Sequence, residues 1–416
     1  MNKKIRKFGK VLIWGVGILI GVVLFILLFY SVRYSPEYVV RVLRWGDSDV
    51  YDYQKFPERM MDVGSEGFTF DQQLNKAWVS SRFESHPLID DLDSFVEVSD
   101  SQALIVIQDD AVLYEEYAHG AERDSFVTSF SIAKSFTSAL IGIAIKEGHI
   151  DSVEDPITVY IPELEERDPE FRNITIKDLL KMSSGIDYRE FAFFNGDNSL
   201  TYYHPNLRQL ALNETEIVDQ PGEHFLYNNF HPLLLGIILE RATGQPVAQY
   251  LEQKIWQQIG MEFLGSWSLD ENGFEKMESG INARAIDFAK FGRLYLNNGR
   301  WGEDQIISED WINESVRGSH TVEDKTYYET SFGPEIFNAA NGGYYRYMWY
   351  GLAREGGADD FFAAGNKGQF IYVSPQANLI IVRNGVSYGQ GLGEFDWIEI
   401  FYHFSTQVLD EQLASN

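Results

Sequence analysis

A chain of 416 residues is long enough for one large domain or two ordinary ones with a sizeable core. Its 44% apolar and 15% aromatic content is that of a globular protein, while 34 Lys and Arg against 62 Asp and Glu, a net charge of −28, argue against a nucleic-acid binder. The absence of cysteine excludes disulfides, thiolate nucleophiles and cysteine-held metals.

Residues 1–10 carry Lys3, Lys4, Arg6, Lys7 and Lys10 and no acid, and residues 11–30 carry no charge at all. Twenty such residues match the thickness of a bilayer core. No small-x-small cleavage site follows, so an uncleaved transmembrane anchor is favoured over a signal peptide. Positive charge ahead of the span places the basic tail, 1–10, in the cytoplasm. The rest then lies on the periplasmic side of the inner membrane, held by a single-pass anchor. Residues 31–99 read as a stalk and lead-in segment, with a short amphipathic candidate at 38–45. Acidic turns fall at 47–52 and at Asp90, Asp91 and Asp93. Without EF-hand spacing these acids read as solvated loops rather than calcium ligands.

Residues 103–108 and 111–117 flank Asp109-Asp110, a hairpin signal. Residues 139–145 form an apolar run that reads as a buried helix ending at Gly148. Further helices are expected at 176–182, 232–242, 247–259, 287–296, 309–316 and 396–409. The aromatic and polar stretch 198–207 suits an active-site rim, but a packed loop is the preferred reading. Residues 369–373 and 378–382 form a second hairpin. Strands near both ends with helices between predict an α+β protein: an antiparallel sheet built from both ends of the domain, flanked by helices, beside a mostly helical region.

Ser131-Ile132-Ala133-Lys134 opens the apolar helix as an S-x-x-K motif. Residues three apart share a helix face, so hydroxyl and amine point the same way. A serine hydroxyl is a poor nucleophile until a base takes its proton, and a desolvated lysine can do so. Alone, the motif occurs by chance about once in such a chain. No H-E-x-x-H is present. The glycine-rich 389–393 lacks dinucleotide-loop spacing.

Taken with Tyr227-Asn228-Asn229 and with 364–369 before a strand, the motif resembles the serine β-lactamase and penicillin-binding superfamily. The middle motif is similar to that of the class C and esterase-like branch. The phrases at 150–164, 179–185 and 291–302 most resemble the aminohexanoate-oligomer (nylon-oligomer) hydrolase group. The resemblance covers roughly 100–405, within an expected hydrolase domain at 100–410. It implies Ser131 as acylated nucleophile, Lys134 as proton acceptor or as the charge that holds the site positive, and Tyr227 as proton relay, with a neighbouring ammonium favouring the phenolate. Asn229 would orient Lys134 or the substrate amide, and the N–H groups of Ser131 and Asn366, beside Gly365, would form the oxyanion hole. Tyr188 would touch substrate. The third motif departs from the family: Ala363 stands where a lysine or histidine is usual, and Lys367 lies two residues past the glycine. The expected activity is a serine hydrolase acting on a small-molecule or peptide-like amide or ester, with no nucleic-acid partner, metal or cofactor. A peptidoglycan D-amino-acid peptidase or carboxypeptidase and a non-catalytic penicillin-binding-like sensor are the rival readings.

Overall fold

The computed structural model describes residues 3–190, 194–318, 325–330 and 333–415, with side chains from residue 12 on. The basic side chains of 1–10 lie outside the described residues. The backbone enters as one helix, Lys3–Arg33, and a two-residue break leads into the helix Pro36–Trp45, capped by Ser35, whose hydroxyl accepts from the Tyr38 N–H.

The fold is α+β. An eight-stranded sheet runs in spatial order Gly343–Arg346, Trp349–Leu352, Asp360–Gly365, Gln369–Ser374, Leu379–Gly385, Ser101–Gln108, Ala111–Tyr117 and Asp71–Gln72. All neighbours are antiparallel except the last pair. The two predicted hairpins are therefore joined side by side, residues 101–108 lying against 379–385.

Both faces of this sheet are buried, and the side chains alternate between them. Ala103, Ile105, Ile107, Ile371, Val373, Ile380 and Val382 face one core, which holds the helices Ile132–Lys146 and Ala285–Leu296. Leu104, Val106, Phe370, Tyr372, Leu379 and Ile381 face the other, under the C-terminal helix Glu394–Ser415. Gly292 lets Ala285–Leu296 lie close on the sheet: a Cβ there would come within 2.8 Å of Ile371 Cγ2.

Residues 31–99, expected as a stalk and lead-in, are packed into the domain. Tyr38, Val39, Phe56 and Met61 belong to the first core; Val79, Phe83, Leu92, Phe95 and Val96 belong to the second. Glu58–Met61 heads a smaller four-stranded sheet, pairing with Gly265–Ser268, which is followed by Ile281–Ala283 and Val127–Thr128. The stretch 198–207 is not simply a loop, because Asp197–Tyr203 is a helix. Helical periodicity was hidden there by polar and aromatic side chains that serve a cleft. The expected helix at 247–259 is α-helical only over Val247–Leu251 and then widens into a π-turn at Glu252–Trp256.

Candidate active site

The helix Ile132–Lys146 is buried at every position from Ile132 to Ala144. Ser131 is its N-cap, reached through Phe130 at φ 43°, a left-handed conformation that an aromatic residue adopts only under constraint. This turn aims the Ser131 hydroxyl into a cleft of about 890 Å³. Lys134, one turn on and 1% exposed, sets its Nζ 2.9 Å from Ser131 Oγ and donates to the Glu278 carbonyl, also at 2.9 Å. Burial draws the Lys134 amine down to about 7, against the opposing pull of Glu278 and Glu190. A lysine with this pKa is substantially neutral near pH 7 and can accept a proton.

Tyr227 closes the group from the loop before the helix Phe230–Thr243. Lys134 Nζ stands 5.0 Å from its ring centroid. Burial pushes the phenol well above its ordinary range, while hydrogen bonding to Ser131 and Tyr350 pulls the other way. Burial thus opposes the phenolate that a neighbouring ammonium was expected to favour. Tyr227 is held as a neutral phenol.

Ala364, Gly365 and Asn366 form the opposite wall, at the end of the strand Asp360–Gly365. A Cβ on Gly365 would fall 2.3 Å from the Ser129 carbonyl oxygen, so only glycine lets this strand end approach the turn that carries Ser131. The N–H groups of Ser131 and Asn366 have no acceptor among the described residues. Arg383, fully buried, fixes the following turn by donating to Gly368 O at 2.6 Å and to Ser99 O at 2.6 Å.

Two expected contacts are placed differently. Asn229 lines the cleft but does not bond Lys134. Its Nδ2 donates to Tyr188 Oη at 2.8 Å, and its buried Oδ1 has no partner among the described residues. The peptide carbonyl of Glu278 occupies the position by Lys134 that Asn229 was expected to fill. Tyr188 does not line the cleft. It is buried behind Asn229 and donates to Asn198 Oδ1 at 2.6 Å, so it supports a wall residue rather than meeting substrate.

The reading of the sequence missed the near wall. Val42, Leu43, Gly46, Asp47 and Ser48 line the cleft from the segment taken as stalk. Asn366 Nδ2 donates to Ser48 Oγ at 3.1 Å, and Lys367 pairs with Asp47 at 2.9 Å. Lys367 is therefore no free cation for a substrate carboxylate. Asn198, Ser199, Tyr202 and Tyr203 add a further wall, and Glu190, Glu335 and Glu394 make the lining acidic. Burial pushes the Glu394 carboxyl up to about 7, against the Tyr388 hydroxyl. Hydrophobic patterning gave no signal for these residues, and the partners of Ser48 and Asp47 lie 318 and 320 positions away.

A second serine–base pair, Ser184 Oγ and His231 Nε2 at 2.6 Å, is sealed in the core, each residue 1% exposed. Burial drives His231 down to about 3, so it is a neutral structural partner.

The fold and this cleft define a serine hydrolase of the penicillin-recognising architecture. A family model described as Beta-lactamase matches residues 95–385, and the chain belongs to that family. The 6-aminohexanoate-dimer hydrolase of Paenarthrobacter ureafaciens is 24% identical over 307 residues, 70% of this chain and 74% of that one. Among solved structures, a Bacillus anthracis protein assigned as a 6-aminohexanoate-dimer hydrolase superposes with a TM-score of 0.68 at 23% identity, covering 89% of this chain and 95% of its own. A class C β-lactamase superposes at 0.58 with 13% identity, over 80% and 97%. Both structural likenesses concern the fold.

Proposed function

We propose that this chain is a membrane-anchored serine hydrolase that cleaves an amide or ester through an acyl-enzyme on Ser131. The observation that carries the reading is a fully buried amine, titrating near 7, held 2.9 Å from the Ser131 hydroxyl. In the forward step Ser131 Oγ bonds the carbonyl carbon while its proton passes to Lys134 Nζ. The N–H groups of Ser131 and Asn366 receive the oxyanion, helped by the positive end of the buried helix. The C–N or C–O bond then breaks as Tyr227 gives its proton to the leaving amine or alcohol, and the proton on Lys134 replaces it. A water hydrolyses the ester by the reverse transfers. The unpartnered Asn229 Oδ1 is suited to accept an N–H from an amide substrate.

The relative acting on 6-aminohexanoate dimer favours an amide. The acidic lining and the tied-up Lys367 weigh against a substrate carrying a free carboxylate, and so against a carboxypeptidase. Among the described residues one helix, Leu12–Arg33, is long and apolar enough to cross a membrane. We take it as the anchor, with the hydrolase domain on the extracytoplasmic side.

The test is the intact mass of the protein after exposure to a panel of esters, amides and β-lactams. A mass increase that maps to Ser131 and vanishes in Ser131→Ala supports the reading. Full turnover by Ser131→Ala overturns it.

A further inference from the structure

The anchor helix does not lead away from the domain. Its last turns pack on it: Leu27, Tyr30 and Tyr34 lie against the main core. The Tyr30 ring stacks on Phe194 at 5.2 Å, and Phe194 is itself a wall of the catalytic cleft. Tyr34 meets Tyr38 at 5.6 Å, and the Tyr38 hydroxyl donates to the Phe194 carbonyl at 2.9 Å. Arg33 pairs with Glu214 of the body. A span of about twenty residues beginning near Leu12 ends near residues 29–34, where Tyr30, Arg33 and Tyr34 mark the headgroup level. One cleft wall therefore stands at the depth of the bilayer surface.

The next helix, Pro36–Trp45, extends this surface. Its Val42 and Leu43 line the cleft, while Leu43 and Val40 are 60% and 56% exposed. Val40 and Leu43 are three apart and share a face. Tyr38, Val39 and Arg41 occupy the buried face, and Arg44 is exposed. Two exposed aliphatic side chains and an exposed arginine, one short break after a membrane span, form a surface suited to the interface between acyl chains and headgroups.

We infer that the cleft opens at the bilayer surface over the rim helix Pro36–Trp45, and that its substrate is a membrane-partitioned amphiphile: an amide or ester whose alkyl chain stays in the lipid while its carbonyl reaches Ser131. This rests on the anchored-hydrolase reading above, but the depth of the rim can be measured without any turnover. The cleft wall offers Val42, Leu43, Phe130, Phe194, Ile336 and Phe395 to an alkyl chain. Its carboxylates favour a neutral head over an anionic one.

The absence of cysteine permits clean labelling. Leu43→Cys, Val40→Cys and, as control, Gln376→Cys are each labelled with a small fluorophore in the full chain in phosphatidylcholine nanodiscs. Gln376 is exposed in the turn after Gln369–Ser374, about 17 Å along the sheet from its cleft end. Quenching by headgroup-labelled nitroxide lipid at 40 and 43 but not at 376 is expected. Equal quenching at all three, or none at 40 and 43, overturns the proposal, as does a purified membrane form lacking residues 12–33.

A second experiment compares a neutral long-chain p-nitrophenyl ester in phosphatidylcholine vesicles with soluble p-nitrophenyl acetate. Val40→Glu should lower kcat/KM for the vesicle ester by about tenfold and leave the acetate unchanged. Equal effects on both esters, or none on either, overturn the proposal. Acetate turnover that survives Ser131→Ala removes the hydrolase reading while leaving the quenching result standing, so the two fail separately.

Discussion

A lysine amine shut away from water holds its proton poorly, and Lys134 is such a group. Its ordinary value of 10.5 falls to about 7 in the fold. The neutral, proton-accepting form therefore accumulates as pH rises through 7. An ascending limb in kcat/KM near pH 7 is expected on any substrate. The titratable groups around it are Glu278, Glu190, Tyr227 and the neutral His231, while Glu394 titrates in the same cleft. Glu394→Gln should keep the limb. Lys134→Arg, which cannot lose its proton, should abolish it and cost about 10³ in rate. A profile unchanged by Lys134→Arg would show that another group is the base.

The same shift has a stability cost, and its sign is opposite to that of a paired lysine. The folded pKa lies below the unfolded one, so as pH falls from 10.5 the unfolded chain gains its proton first. Stability is lost between about pH 10.5 and 7 and does not return below 7. At neutral pH the burial costs on the order of 4 kcal/mol, reduced by what the bonds to Ser131 and Glu278 return. Lys134→Met should therefore melt higher than the native chain at pH 7 while losing turnover. A lower melting temperature would mean the amine stabilises the fold.

Elements bring these residues together, and two glycines show how tightly. Gly365→Ala places a Cβ 2.3 Å from a backbone carbonyl that cannot swing aside, so the strand end must withdraw from the Ser131 turn. Displacing the N–H of Asn366 by about 1 Å should cost about a hundredfold in kcat with little change in KM. Gly142, inside the helix Ile132–Lys146, packs under the Trp311 ring of the helix Glu309–Val316; a Cβ would come within 2.5 Å of it. Gly142→Ala should destabilise by about 1–3 kcal/mol, read as a lowered melting temperature with near-normal kcat in the folded fraction.

Elements also separate what the sequence shows from what it conceals. The hairpins at 103–117 and 369–382 were legible because β-branched residues run between turn signals, and Ser131 with Lys134 because one helical turn joins them. The strands Gly343–Arg346 and Trp349–Leu352 were not, being four residues each and rich in Tyr and Gly. Asp197–Tyr203 hid its helix because its polar face serves the cleft. Asn229 was found by its motif, but its true partner Tyr188 and the Glu278 carbonyl at Lys134 depend on contacts across 41 and 144 positions. No local pattern encodes such contacts.

At the scale of the whole molecule, the question is what residues 31–99 contribute. They were read as a connector because acids and turns dominate them. Yet they supply two edge strands, Glu58–Met61 and Asp71–Gln72, part of the cleft rim and two helices, Lys76–Phe83 and Leu92–Val98, against the outer face of the large sheet. Val79, Phe83, Leu92, Phe95 and Val96 are each at most 6% exposed. Full burial of such side chains stabilises by about 1.5–3 kcal/mol each. Their sum is comparable with the entire folding free energy of an ordinary domain, about 5–15 kcal/mol. A chain starting at residue 34 loses the span but keeps this core, and should be folded and active on a soluble ester. One starting at residue 100, the boundary suggested by the motifs, uncovers the apolar side chains of the second core that those two helices pack on, Leu104, Val106, Tyr114, Trp397 and Phe404, and should aggregate or melt without cooperativity. A cooperative, active protein starting at 100 would show that residues 31–99 are a covering rather than part of the fold.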